Sequence, residues 1–523
     1  MKMQECIVFL QAVVGVSYAV RSLYGPNKLH ELGQTLFTKD TYTVASVLQS
    51  QNAGTAILQK ALDEQHKFVG SSCSTVVTLC GVLAETVIEL LKQGLDNNVI
   101  QKALSSAMTC CVTVALSMRI PLSEAIPSFH NLTRTQQLEV IVRILSTDDD
   151  QKVAANLAVN VILRLDSSRF CGDELLPLSR IVTSHVVLGG ATSAISSQVF
   201  DGLLLPVAED SLRSALSHKL ALNVDLTTDK GIVILNGDLD TITFSCDFSI
   251  QVIFVHGEIS ARTIDAFVSS TSAPLCIPIA SYESLRQLAE MSGAHLVDSW
   301  EELLPNAIGH EKIQIKAHEF TVSSINDKDD DEAATLYIQI LRSNTKYHLH
   351  ASIVVQGSNN SLAEELQNEI YKMICRIRNT LRSKYVLPGN GSFWCACAAV
   401  IKKEAEVLAL SKLELLSFAV AKLANSFNQL GVIMLGNTTE ESYCARLARV
   451  HTVQQRFVRS IQDVGLTKFF SCYFDFRNTN YALSLSPGSE PDNVDEYSSM
   501  TFALQRSFRV IKILLNIDRH QVN

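Results

Sequence analysis

The sequence predicts a mixed α and β protein in which an outer helical domain is split by an inserted α/β domain. Three observations lead there. The first 118 residues carry helical periodicity almost throughout. The middle alternates short β-rich runs with helical patterns, the signature of a parallel sheet covered by helices. Helical patterning returns after about Ser361. A chain of 523 residues suggests about three domains, and 47% apolar residues exclude wholesale disorder.

The N-terminal run MKMQECIVFLQAVVGVSYAV resembles a signal peptide superficially. Glu5 and Gln11 interrupt it, so the spacing predicts an amphipathic helix instead. No other segment has about 20 uninterrupted apolar residues, so no membrane span is expected. Val76, Leu79, Cys80, Leu83, Val87, Leu90 and Leu91 mark one face of a long helix stopping near Gly94. A second helix runs from about Val99 to Leu116, its Ala103, Ser105 and Ala107 suited to close packing. Residues 134–165 form a further helical region broken by Asp148, Asp149 and Asp150, a solvated turn that caps the next helix. A calcium loop would need more oxygen ligands at defined spacing.

In the middle, Lys219 to Val224, Ile232 to Leu235, Ser249 to Val255 and Leu275 to Ile279 read as short strands, with a helical pattern from Ile259 to Val268. Ser281 can cap a helix whose Leu285, Leu288 and Ala289 share a face. Gly293 stands where a helix end needs positive φ. Ala294 to Val297 suits a strand, and Ser299 with Glu302 makes a capping box for a new helix. The acidic run Asp327 to Glu332 lacks glycine and reads as a solvated loop. Ala363 to Arg382 is helical, another helix starts near Phe393 after a glycine-containing turn, and a closing helix feeds a final strand, Ile513 to Ile517.

Net charge of −9 argues against a nucleic-acid binder. Thirteen scattered cysteines fit free thiols in a reducing compartment, with Cys110, Cys111, Cys395 and Cys397 as core thiols. His348 and His350 alternate as on a strand but lack a third ligand, so no metal site is expected. Gly70-Ser71-Ser72 and Gly189-Gly190 have no P-loop lysine, and no nucleophile elbow is present.

Several segments resemble group II chaperonins, in the family's order. They are the helical and strand pattern of residues 281–302, RSLYGPNKLHEL at 21–32, FTKDTYTVASVL at 37–48, SSQVFDGLLLP at 196–206, ASIVVQGSNN at 351–360, LPGNGSFWCACA at 387–398 and the closing ILLNID. The resemblance implies a three-domain subunit. Its helical equatorial domain would comprise 1–118 and 387–523, its small intermediate domain 119–192 and 351–386, and its α/β apical domain 193–350. It implies ATP or ADP with Mg2+ as cofactor, held by Gly25, Pro26, Asp40, Gly70, Ser71, Gly389 and Gly391. A client-facing surface would comprise Tyr282, Arg286, Gln287 and Glu290, read as exposed.

This sequence departs from the family pattern at costly positions. The family's G-D-G-T-T falls on Gly70-Ser71-Ser72-Cys73-Ser74, so Ser71 replaces the metal-binding aspartate. Ser72 replaces a glycine where backbone amides approach phosphate. Asp40 matches the other N-terminal carboxylate, and Thr41 replaces the glycine after it. The G-G-G turn has become Gly389-Asn390-Gly391. Glu369 is the nearest match to the water-orienting carboxylate, three residues out of register. Asp40 and Glu369 are thus the catalytic candidates, with weak or absent hydrolysis expected. About 24 residues separate the strands at 219–224 and 249–255, so the family's helical protrusion is expected to be shortened or missing.

The eroded motifs resemble the divergent chaperonin-like proteins linked to Bardet–Biedl and McKusick–Kaufman syndromes. That resemblance implies an assembly factor for a ciliary complex of the BBSome type, working in the cytoplasm near the centrosome or ciliary basal body. Its partners would be chaperonin-like or cytosolic chaperonin subunits and client proteins such as BBSome subunits. An active ATP-dependent ring subunit and a non-chaperone scaffold are the alternatives.

Overall fold

The computed structural model describes residues 2–24, 31–32, 37–48, 52–126, 128–145, 152–171, 177–188, 196–207, 226–228, 230–239, 249–260, 262–264, 274–322, 333–343, 345, 348–357, 359–389, 391–437, 441–464 and 494–517. They fall into two compact units, 1–155 with 368–523, and 156–367. The boundaries at 155/156 and 367/368 fall inside the two stretches expected to form an intermediate domain.

The main helices are α1 (Lys2–Val20), α2 (Thr41–Val47), α3 (Ala53–Phe68), α4 (Cys73–Lys92), α5 (Asn97–Met118), α6 (Arg134–Leu145), α7 (Lys152–Arg164), α8 (Tyr282–Ser292), α9 (Asn360–Ser383), α10 (Ser392–Leu410), α11 (Glu414–Gly436), α12 (Tyr443–Val464) and α13 (Tyr497–Asn516). In the first unit α4 is the central helix. Val76, Leu79, Cys80, Leu83, Val87, Leu90 and Leu91 are all buried, as their spacing predicts. They share a core with Leu10, Phe393, Trp394, Phe427 and Phe508. Each fully buried aliphatic side chain here contributes roughly 2 kcal/mol. Gly94 ends α4 at φ 83°, and Asp96 caps α5 by accepting from the Asn98 amide at 2.7 Å. Cys111, Cys395 and Cys397 lie in this core, and burial pushes the Cys110 thiol up to about 12.

Among the described residues four segments, Gln4–Leu23, Cys73–Lys92, Asn97–Met118 and Glu414–Gly436, are long and apolar enough to cross a membrane, although the sequence has no uninterrupted apolar run that predicts a span. Scattered Ser, Thr and Gly residues interrupt their apolar runs while the mean hydropathy stays high. In Cys73–Lys92, 78% of the apolar window is buried inside the protein.

The C-terminus corrects one expectation. Residues 513–516 continue α13 instead of forming a strand. Val510, Ile511, Leu514 and Leu515 are all buried. Their spacing is helical, and the core they face outweighs the β propensity of Ile513 and Ile517.

In the second unit a four-stranded parallel sheet has the order Leu275–Pro278, Ile250–Val255, Gly231–Leu235, Leu296–Val297. The parallel sheet is thus as expected. Half of the helical pattern at 259–268 lies outside the described residues, and so do the whole of the expected strand at 219–224, the aspartates 148–150 and the acidic run 327–332. Between 219 and 249 the described residues carry Leu226–Thr227 and Gly231–Leu235 as strands. A second, antiparallel sheet joins Leu203–Pro206, Ala333–Arg342, Ile313–Val322 and Leu226–Thr227. Strand Ala351–Gly357 pairs with Val182–Leu188 and Gln198–Asp201.

α8 ends at Gly293, φ 69°, as predicted. Ser281 is its N-cap residue but makes no side-chain capping bond. Ser299 and Glu302 do not start a long helix either. Only the single turn Trp300–Glu302 forms, without a side-chain cap. Pro305 follows closely and disfavours helical backbone at Leu304, which is extended.

Candidate functional site

Asp40 is the N-cap of α2. Its Oδ2 accepts from the Thr43 amide at 3.0 Å and the Thr43 hydroxyl at 2.7 Å. Its other oxygen, Oδ1, lies 3.2 Å from the Lys372 ammonium, which comes from α9. Lys372 also donates to Glu369 Oε1 at 2.8 Å. Burial alone would raise the Asp40 carboxyl. The Lys372 ammonium and the Thr43 hydrogen bonds outweigh that and hold it down, to about 2.

An aromatic stack stands beside this pair. His66 of α3 lies parallel to Tyr42, ring centroids 4.1 Å apart, and against Tyr371 of α9 at 5.4 Å. Burial lowers the His66 pKa and favours the neutral ring, with Asp40 opposing. Tyr42 donates to Asp63 at 3.1 Å.

The loop at 69–72 packs on the next turns of α9. Asn379 Nδ2 donates to the Val69 carbonyl at 2.9 Å. Gly70 has φ 73°, and a Cβ there would sit 2.2 Å from Cys375 Sγ. Ser72 is also left-handed, φ 63°, the strained entry to α4. Ser71 is buried, and its hydroxyl pairs with that of Ser499 at 2.6 Å. Ser499 gives its own proton to Glu496, so its oxygen is left to accept from Ser71. Glu496 is the N-cap of α13 and accepts the Ser498 and Ser499 amides, each at 2.7 Å. Burial raises its pKa against these bonds. Gln65 closes the network by donating to the Ser71 carbonyl at 2.8 Å.

Nearby, burial pushes Asp495 up to about 6, with the Arg376 guanidinium opposing. The Gly389 carbonyl accepts from Ser392 N at 3.1 Å, and Gly391 starts α10 at φ 80°. Gly25 and Pro26 lie outside the described residues. The chain leading to them is tied down by Asn437 Nδ2, which donates to the Arg21 and Tyr24 carbonyls at 2.7 and 2.6 Å.

These side chains do not fit a magnesium ion. Ser71 supplies no charge and is spent within the core. Asp40 is shared between a helix cap and an ammonium. Glu496 is a buried cap. Among the described residues no group of three or more His, Cys, Asp or Glu could hold a metal, His348 and His350 included. Of the residues expected around a nucleotide, the structure brings Asp40 and Glu369 onto one ammonium and turns Ser71 inward. Lys372 is the residue that reading the sequence missed. Its signal was a cation three residues after Glu369 on a helix, a pairing easily taken for surface decoration.

In the second unit, Tyr282 is half exposed and Arg286 and Glu290 are exposed on α8. Gln287 is not. It is 3% exposed and donates to the Ser179 and Arg180 carbonyls at 3.0 and 3.3 Å. Its neighbours Leu285 and Leu288 face the core, and at helical spacing position 287 falls on the rim of that face, where a backbone segment takes its amide.

The chain is similar over nearly its whole length to known proteins. The model of the TCP-1/cpn60 chaperonin family matches residues 16–247 and 239–519. T-complex protein 1 subunit alpha of Tetrahymena pyriformis is 20% identical, over 96% of this chain and 92% of that protein. Thermosome subunit alpha of Aeropyrum pernix is 19% identical, over 74% of this chain and 71% of that protein. T-complex protein 1 subunit theta of Gallus gallus is 20% identical, over 80% and 75% respectively. With the match covering far more than half of its residues, this chain belongs to the TCP-1/cpn60 chaperonin family.

Proposed function

We propose that this protein is a chaperonin-like assembly factor that binds partner proteins and hydrolyses ATP weakly or not at all. The observation that carries this reading is the state of the two N-terminal acid positions. Ser71 is a neutral hydroxyl inside a buried network, and Asp40 is neutralised by Lys372. Phosphoryl transfer needs positive charge placed on the phosphates, commonly by a carboxylate-held metal. Losing it costs roughly 10²-fold or more in rate.

Family membership supports a chaperone role. The finer reading is a three-domain subunit with a shortened protrusion, unable to close over a client in the usual way. It would work in the cytoplasm near the centrosome or basal body, with related chaperonin subunits, on clients such as BBSome subunits. The client surface would use Tyr282, Arg286 and Glu290.

Two measurements test this. Steady-state phosphate release from the pure full-length chain should stay at background, and rapid turnover would overturn the non-hydrolysing role. Mass spectrometry of proteins co-purifying from cells should find chaperonin-like and BBSome subunits. A solitary, nucleotide-indifferent monomer would favour a scaffold instead.

A further inference from the structure

We propose that Lys372 is a built-in replacement for a bound cation, which fastens α9 to α2 without metal or nucleotide. The argument starts from spacing. Glu369, Lys372, Cys375 and Asn379 recur every three or four residues, so they share one face of α9. Each meets the same region of the first unit. Lys372 reaches the cap of α2 at Asp40, Cys375 packs on Gly70, and Asn379 holds the Val69 carbonyl. Tyr371, beside that face, stacks on His66 of α3.

Charge decides the rest. Asp40 and Glu369 put two carboxylates around one point, and their side chains are 7% and 20% exposed. Two acids at one partly buried point are kept ionised together by a cation between them, and otherwise one takes up a proton. The ammonium, itself 17% exposed, fills that place at 3.2 and 2.8 Å. Lys372 lies mid-helix, so the fold sets where its backbone stands. The inference rests on the proposed function only in taking Asp40 as the family's acid position. The clamp is otherwise a property of this chain.

The test uses the full-length protein, hydrogen exchange in peptides covering 41–47 and 369–379, and MnCl2 or EDTA as the only additions. Wild type and Lys372→Arg should exchange alike in both conditions. Lys372→Met should exchange about tenfold faster, the scale of one lost charged hydrogen bond. MnCl2 should restore part of its protection, because a divalent ion can then take the ammonium's place between the Asp40 and Glu369 carboxylates. Glu369→Gln, at the more exposed side of the cluster, should give a milder rise of about two- to threefold, which keeps the test open if Lys372→Met does not fold. Wild-type protection that changes with MnCl2 overturns the proposal. So does wild-type protection in both Lys372→Met and Glu369→Gln, and so does a loosened Lys372→Met that ignores MnCl2. Phosphate turnover by a chain whose clamp behaves as described would sink the non-hydrolysing role and leave the clamp standing.

Discussion

The hydroxyls of Ser71 and Ser499 lie 2.6 Å apart although 428 residues separate them in the chain. This contact ties the loop before α4 to the cap of α13, and it turns a position expected to face a ligand into part of the core. An acid reintroduced at Ser71 would therefore meet Glu496 across Ser499 in a buried setting. Ser71→Asp is expected to lower the unfolding free energy by about 3 kcal/mol or more, as for other unpaired buried charges. Denaturant melts read that loss directly. Phosphate release should not rise, and a stable, hydrolysing Ser71→Asp would refute the inward role.

Gly70 is fixed by two separate constraints. Its φ of 73° is costly for any side chain, and a Cβ would overlap Cys375 Sγ. Gly70→Ala should cost about 2–4 kcal/mol. Adding Cys375→Ala should recover only part of this, because the Cys375 Cβ would still stand 2.7 Å away and the backbone strain remains. Full recovery in the double variant would show that the sulfur alone is responsible.

The acid limb of the stability curve reports on Asp40. Its carboxyl falls from an ordinary 3.8 to about 2 in the folded protein. A depressed acid stabilises the fold above its unfolded pKa and loses that contribution as pH falls through the folded value. The window here is about pH 4 to 2. Asp40→Asn should be less stable than wild type by about 2 kcal/mol at pH 7, with the gap closing toward pH 2. Urea melts of both proteins at pH 7, 4 and 2.5 measure it. A gap that does not change with pH would mean that Lys372 and the Thr43 hydrogen bonds together do not hold the carboxyl below its ordinary value.

Periodicity made the helices legible. The apolar face of α4 and the stops at Gly94 and Gly293 were visible because one residue type at one spacing has one physical solution there. The parallel strands at 231–235, 250–255 and 275–278 were visible as short apolar runs for the same reason. Ile513 to Ile517 misled because β-branched residues fit either a strand or a buried helix, and only the surrounding core decides. The site was legible by its losses. Ser71 could be seen to lack charge, but not to bond Ser499, since nothing local encodes a contact across 428 residues. Lys372 was hidden because its meaning depends on Asp40, which another helix presents.

Gln287 and Tyr282 separate structure from partner binding on α8. Gln287 gives its amide to the Ser179 and Arg180 carbonyls while nearly fully buried. Gln287→Ala would leave both acceptors without that donor and should cost about 1–2 kcal/mol. Tyr282 is 50% exposed, so Tyr282→Ala should change stability by less than about 0.5 kcal/mol. If this face binds clients, Tyr282→Ala with Arg286→Ala should reduce the partners recovered by mass spectrometry. Gln287→Ala should recover them in proportion to the folded protein present. Loss of partners only with Gln287→Ala, at equal folded protein, would move the binding surface to the segment around Ser179 and Arg180.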